Sequence, residues 1–234
     1  MYIWYADVSD MTEKQIEGYL AELSEYRRGK VNKLRYEKDK KLSVAAGILL
    51  DRALKECHLA EKDCHYQVME HGKICIADHP EIVFNISHSG QFAALIFHKG
   101  RIDGLSCGID IEMIQGGREK IVNRLFSKTD REQYKKLELF EADEYFARAW
   151  TRMESFGKMT GKGLDFSDPV QKNVMDHGKM EKENIFFREA RITDKAGQKY
   201  NLCVCSNQES LLEDAVFSDK SALFSSQNVD CMVI

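Results

Sequence analysis

Proline is scarce, two residues in 234, which excludes a chain built from proline-rich segments. With 43% hydrophobic and 31% charged residues, the composition is that of an ordinary soluble globular protein. No stretch approaches the roughly 18 uninterrupted apolar residues of a membrane span. The opening MYIWYADVSD has no basic segment followed by an apolar one, so no export signal is indicated and a cytoplasmic location is expected. C-x-x-C pairs are absent. The seven cysteines, at 57, 64, 75, 107, 203, 205 and 231, are odd in number and are expected to be reduced, buried thiols. Neither a disulfide framework nor a zinc site is indicated. Nor is there an excess of positive charge: 34 Lys and Arg against 38 Asp and Glu leave a net charge of −4, which argues against a general nucleic-acid binder.

What is present is unevenly distributed. Between Glu25 and Leu42, EYRRGKVNKLRYEKDKKL carries eight Lys or Arg against three acids. As a charge run alone it is best explained as a solvated amphipathic helix face. The functional alternative is a dock for a phosphorylated or acidic partner.

The length allows one large domain or two small ones. MYIWYADV alternates like a strand, and SDMTEKQIEGYLAELSEY follows with a helix-start signal and Ile16, Leu20 and Leu23 at helical spacing. KKLSVAAGILLDRALKECH predicts a core helix. HYQVME, KICIAD, VFNISHS and FAALIFHKG then read as strands, the first two joined by a turn at His71-Gly72. From Gly104 a second set begins: the strand LSCGIDIE, the helical stretches GREKIVNRLFSKTDREQYKKL and EADEYFARAWTRMESFGKMTG, and strands near NIFFREARI and YNLCVCSN. The expected fold class is α+β, divided into an N-terminal subdomain (1–103) and a C-terminal subdomain (104–234). The tail from Glu209 on is mildly acidic and serine-rich and predicts no element.

Three segments are able to carry chemistry. In FNISHSG, Ser87, His88 and Ser89 end a strand before a glycine whose backbone lets amides approach an anion; taken alone, the segment is better explained as a plain strand-to-turn exit. In CGIDIE, alternation sends Ile109 and Ile111 to one face and Asp110 and Glu112 to the other, the acids about 7 Å apart along the strand. Like charges so placed require a cation or a wet edge. Such carboxylates are the hard oxygen ligands that Mg²⁺ accepts, although a lone D-x-E is a weak signal. In WTRMESFGKMTGKGL, Trp150, Glu154 and Lys158 fall four apart on one helical face. A surface Glu-Lys pair worth about 0.3–0.5 kcal/mol is the plain alternative there. Together the three suggest a metal-assisted site acting on a phosphate ester or pyrophosphate.

In this order and spacing, FNISHSG, GIDIE and W-x-x-x-E-S-x-x-K-x-x-G-K-G-L closely resemble the 4′-phosphopantetheinyl transferases of the surfactin-synthetase-activating type. The resemblance runs from Arg27 to Leu164 and takes in KKLSVAAGILLDRAL and HGKICI. It implies two similar α/β subdomains in pseudo-twofold arrangement with the active site at their interface, and a monomer. It implies an enzyme that moves the phosphopantetheine arm of coenzyme A to a serine of an acyl or peptidyl carrier protein, releasing adenosine 3′,5′-bisphosphate. Neither nucleic acid nor membrane is an expected partner. By the same match, Mg²⁺ is held by Asp110, Glu112 and Glu154. Lys73, Ser87 and His88 contact coenzyme A phosphates, and Arg27, Lys30 and Ser43 belong to the nucleotide pocket. Glu154 is also the candidate base, Lys158 neutralises phosphate oxygens, and Gly108 leaves room beside the substrate.

Two positions depart from the family pattern. Met153 stands where the family usually has a lysine before the helix glutamate, and Leu42 where it commonly has an arginine before the position of Ser43. Any role of that lysine is expected to be either absent or taken over by Arg152 or Lys158, and Lys40 or Lys41 is the candidate to reach the phosphate that the missing arginine would meet. The competing expectation is a degenerate homologue that binds coenzyme A or a carrier without turnover. A Met153→Lys exchange is expected to separate the two.

Overall fold

The computed structural model describes residues 1–165, 179–180 and 184–225. These form two compact units, one of Met1–Met69, Ile74–Asp103 and the chain from Ala215 on, the other of Glu70–Lys73 and Gly104–Asp214. The first contains β1 (Tyr2–Asp7), α1 (Glu13–Glu22), α2 (Glu25–Asn32), α3 (Glu37–Lys55), β2 (Tyr66–Val68), β3 (Ile74–Ile76), β4 (Val83–Ser89) and β5 (Phe92–His98). The second contains β6 (Cys107–Met113), α4 (Glu119–Leu125), α5 (Lys128–Tyr134), α6 (Leu139–Thr160), β7 (Lys179–Met180), β8 (Ile185–Thr193), β9 (Lys199–Ser206) and α7 (Glu209–Glu213). The chain then returns to the first unit as β10 (Val216–Asp219).

In the first unit the sheet order is β10-β1-β5-β4, with β10 parallel to β1 and the other pairs antiparallel; β2 and β3 form a separate hairpin. Helix α3 is buried from Leu42 to Leu50 without a break and packs on β5, as a helix apolar on most sides must. It also lies close to the α2 region: a Cβ on Gly47 would sit 2.8 Å from Leu23 Cδ1 and 3.3 Å from Arg27 Cγ. The single helix expected through Leu23 divides because the Ser24 hydroxyl accepts a hydrogen bond from Arg27 N and starts α2 afresh. The same device at Ser127, accepting from Asp130 N, splits the second predicted helical stretch into α4 and α5.

In the second unit the sheet order is β6-β9-β8-β7, antiparallel throughout, and α6 lies across β6 and β9. The stretch after residue 209, for which no element was expected, holds α7 and β10. Four residues with no helical partner gave no periodicity to detect, and pairing with β1 makes them a strand. This pairing moves residues 215–225 away from the expected C-terminal division. No helix among the described residues is long and apolar enough to cross a membrane. The six described cysteines are unpaired, Cys64, Cys107, Cys203 and Cys205 buried and Cys57 and Cys75 partly so; Cys231 lies outside the described residues.

Candidate active site

The long helix α6 is docked by three parallel stripes, each made of residues four apart. Thr151, Ser155 and Met159 face β9: Asn201 Nδ2 donates to Thr151 Oγ1 at 2.8 Å, Ser155 Oγ donates to Cys203 Sγ at 3.6 Å, and Cys205 Sγ meets Met159 Sδ at 3.4 Å. Glu144, Arg148 and Arg152 face β8, pairing with Arg191 at 3.0 Å and with Glu189 at 2.9 and 2.5 Å. Because successive helical residues turn by about 100°, the third stripe, Trp150, Glu154 and Lys158, is rotated to the opposite side, toward β6.

There it meets the two strand acids. The register pairs Gly108 with Cys205, Asp110 with Cys203 and Glu112 with Asn201, so all three β6 residues share the face that α6 covers. Gly108 is the point of closest approach: a Cβ there would overlap Ser155 O and lie 2.6 Å from Met159 N. The glycine therefore admits the helix backbone rather than leaving room for a substrate, a correction to the expectation from sequence. Ile109 and Ile111, on the opposite face, are buried as expected.

Asp110 is nearly buried, and Lys158 Nζ donates to its Oδ1 at 2.6 Å and to Ile109 O at 3.2 Å. Glu112 accepts from Arg118 Nη2 at 2.5 Å. Burial, then the Asp110 carboxylate, push the Glu154 carboxyl above its usual range; Lys158 pulls it down, and Glu112 adds a smaller upward push. Three acids thus share one electrostatic neighbourhood, as the alternation and helical spacing predict. Carboxylate oxygens are the donors a hard divalent cation takes, so the donor set fits Mg²⁺ in chemistry. Among the described residues, however, no three His, Cys, Asp or Glu side chains are arranged as a ready metal cage.

The remaining candidates divide between the units. In the second, Lys73 Nζ donates to Met159 O at 2.8 Å, Ser106 Oγ at 3.2 Å and Cys107 O at 3.5 Å, so its ammonium sits at the carbonyl end of α6. In the first, Arg27 is 2% exposed and its Nε lies 3.8 Å from Glu61 Oε1, with no hydrogen-bond partner to Nε or Nη2 among the described residues. Glu61, wholly buried, also accepts from Ser24 N at 2.6 Å and Ser24 Oγ at 2.9 Å. Lys30, on the same helix, is held below the usual ammonium range by desolvation and then by Arg27. Ser43 is buried on α3. On β4, Ser87 is buried and His88 exposed, as neighbours on opposite faces of a strand.

Both departures from the family pattern are packed inward. Met153 is 2% exposed in an apolar cluster with Val122, Phe126, Phe146 and Ala149, and Leu42 lies in the core of the first unit. Arg152 is committed to Glu189 and stacked over Phe187 at 5.6 Å, on the β8 side, so it is not a substitute for the missing lysine. Arg118 escaped the sequence reading. Its signal is slight: a lone arginine after Gly116-Gly117, the second glycine at φ +82°, which turns the chain back so that residue 118 faces Glu112.

Comparison with known proteins agrees with this region. The family model described as the 4′-phosphopantetheinyl transferase superfamily matches residues 106–205. The chain is 30% identical over 155 residues to the 4′-phosphopantetheinyl transferase Sfp of Bacillus subtilis (strain 168), covering 66% of this chain and 67% of that one. It is 26% identical over 221 residues to the 4′-phosphopantetheinyl transferase ffp of Bacillus subtilis, covering 91% and 95%. To the 4′-phosphopantetheinyl transferase psf-1 of Bacillus pumilus it is 27% identical over 154 residues, covering 65% and 64%.

Proposed function

The chain belongs to the 4′-phosphopantetheinyl transferases, and from that premise we propose that it transfers the phosphopantetheine arm of coenzyme A to a serine of an acyl or peptidyl carrier protein, with Mg²⁺, releasing adenosine 3′,5′-bisphosphate. The observation that carries the proposal is the gathering of three carboxylates, Glu154 from α6 and Asp110 and Glu112 from one face of β6, in one electrostatic neighbourhood with Lys158 and Arg118. In the reaction, the serine Oγ forms a bond to the phosphorus that carries the pantetheine arm. The bond from that phosphorus to the bridging oxygen breaks, and the nucleotide leaves with the electron pair.

A serine hydroxyl is a poor nucleophile at neutral pH and needs a base. Glu154, the acid that α6 presents beside Asp110 of β6, accepts its proton at a carboxylate oxygen. Asp110, Glu112 and Glu154 would hold Mg²⁺, whose charge would neutralise the pyrophosphate oxygens. Lys158 adds a compact positive charge on the same side of β6, without the geometric demand of a guanidinium. Lys73, Ser87, His88, Arg27, Lys30 and Ser43 are assigned to coenzyme A, the first in the second unit and the others in the first. The monomeric state and the cytoplasmic location belong to the same proposal.

The test is mass spectrometry of apo carrier proteins incubated with enzyme, coenzyme A and Mg²⁺. The carrier is expected to gain one phosphopantetheine, and Asp110→Ala to abolish the gain. A wild-type protein that modifies no carrier from its own source overturns the proposal. The second reading, binding without turnover, draws on Met153 and Leu42. Their burial offers a plainer reason for both residues: each fills a core where a charge would be costly.

A further inference from the structure

The two strand acids are each turned to a cation of the chain itself, Asp110 to Lys158 and Glu112 to Arg118. The two cations differ in how they are held. Lys158 is a point charge at the end of a flexible stem and can move off one oxygen and onto another. Arg118 is fixed on several sides. Its guanidinium carbon stands 5.5 Å over the centre of the Phe146 ring, its backbone is the N-cap of α4, and the Gly116-Gly117 turn precedes it. Its Nε is buried without a hydrogen-bond partner among the described residues, and the side chain is 25% exposed against 16% for Glu112. The pair is therefore charge-assisted, short and partly desolvated, the setting in which an ion pair matters most.

We propose that Arg118 is a positioning residue, a built-in counter-ion that holds Glu112 while no divalent cation is bound and that an entering cation must displace. The inference rests on the assignment of Asp110, Glu112 and Glu154 to a divalent cation. It accounts for three acids that share one neighbourhood without being arranged as a cage: two of them are occupied by cations of the chain. A carboxylate already engaged with a guanidinium is a weaker ligand, because its release costs the broken pair. Affinity for the free cation is thereby lowered. A substrate that brings its own phosphate oxygens to the metal, and to the released guanidinium, restores it, so the site favours metal and coenzyme A together over metal alone.

The test uses Mn²⁺ as the probe, titrated into the full-length protein without coenzyme A and followed by loss of the free-ion electron paramagnetic resonance signal. Wild type is compared with Arg118→Gln, Arg118→Lys and Glu154→Gln. Arg118→Gln is expected to bind Mn²⁺ about tenfold more tightly than wild type, the factor expected when a competing, partly buried pair is removed. Arg118→Lys keeps the charge but loses the stacked fork, and is expected to gain about threefold; it carries the test if the glutamine variant does not fold. Arginine variants that bind no more tightly than a binding-competent wild type overturn the inference and leave the metal assignment standing. If neither wild type nor the arginine variants bind Mn²⁺, or Glu154→Gln binds as well as a binding-competent wild type, the metal assignment fails and the inference with it.

Discussion

Glu154 concentrates the electrostatic cost of the site in one carboxyl. Its pKa is raised in the folded protein, so the folded state holds the proton more tightly than the unfolded chain does. That contribution to stability is complete below the ordinary carboxylate range and is lost as pH rises through the folded value. Glu154→Gln, which removes the charge, is therefore expected to raise the melting temperature in chelator at about pH 8 and to lose that advantage toward about pH 4. Thermal denaturation across the pH range checks it, and an offset constant with pH contradicts it. Met153 belongs to the same helix but to an apolar cluster. Met153→Lys is expected to cost about 2–4 kcal/mol of stability by urea denaturation, because it puts an ammonium into an apolar cluster. A rate gain from that exchange would require the cluster to open. At this scale the sequence was informative about which acids share a face, since alternation and helical spacing are local rules. The partner of Glu112 was not legible, because Arg118 reaches it through a glycine turn whose direction depends on how α4 packs.

Among the elements, α6 and β6 decide the geometry. Three stripes of α6 engage β8, β9 and β6 in turn, and the close passage over Gly108 sets how deeply the helix sits. A methyl at residue 108 meets backbone, which cannot swing aside. Gly108→Ala is expected to lose at least about 2 kcal/mol by denaturant titration and to lower transferase activity by shifting the Glu154 stripe away from Asp110. A fully stable, fully active variant contradicts the role given to that contact. The sequence pattern anticipated both elements, through alternation in CGIDIE and the long run ending at Gly161, a residue at φ +71° that closes α6. It ran two pairs of helices together at Ser24 and Ser127, whose hydroxyls cap the second helix of each pair. Apolar spacing continues across each junction and hides the break.

At the scale of the whole molecule, the chain leaves its first unit after Asp103, builds the second, and returns as β10 to pair with β1. Ending the chain after Asp214 removes that edge strand together with Leu223 and Phe224, which pack against the core of the first unit. Such a truncation is expected to lower the melting temperature and to promote association through the bared β1 edge, read by thermal denaturation and light scattering. The two-unit α+β organisation was visible in the order of strand and helix patterns. The closing strand was not, because four residues acquire their strand character from a partner more than two hundred residues away. The basic run between Glu25 and Leu42 divides by facing: Arg27 and Leu42 turn inward, while Arg28, Lys33, Arg35 and Lys38 are exposed. A solvated face with a buried anchor is the local outcome. The most direct measurement of the central claim is intact-protein mass spectrometry of an apo carrier after incubation with enzyme, coenzyme A and Mg²⁺. One added phosphopantetheine with wild type and none with Asp110→Ala is the predicted result; an unmodified carrier with wild type, or equal modification by the Asp110→Ala variant, contradicts it.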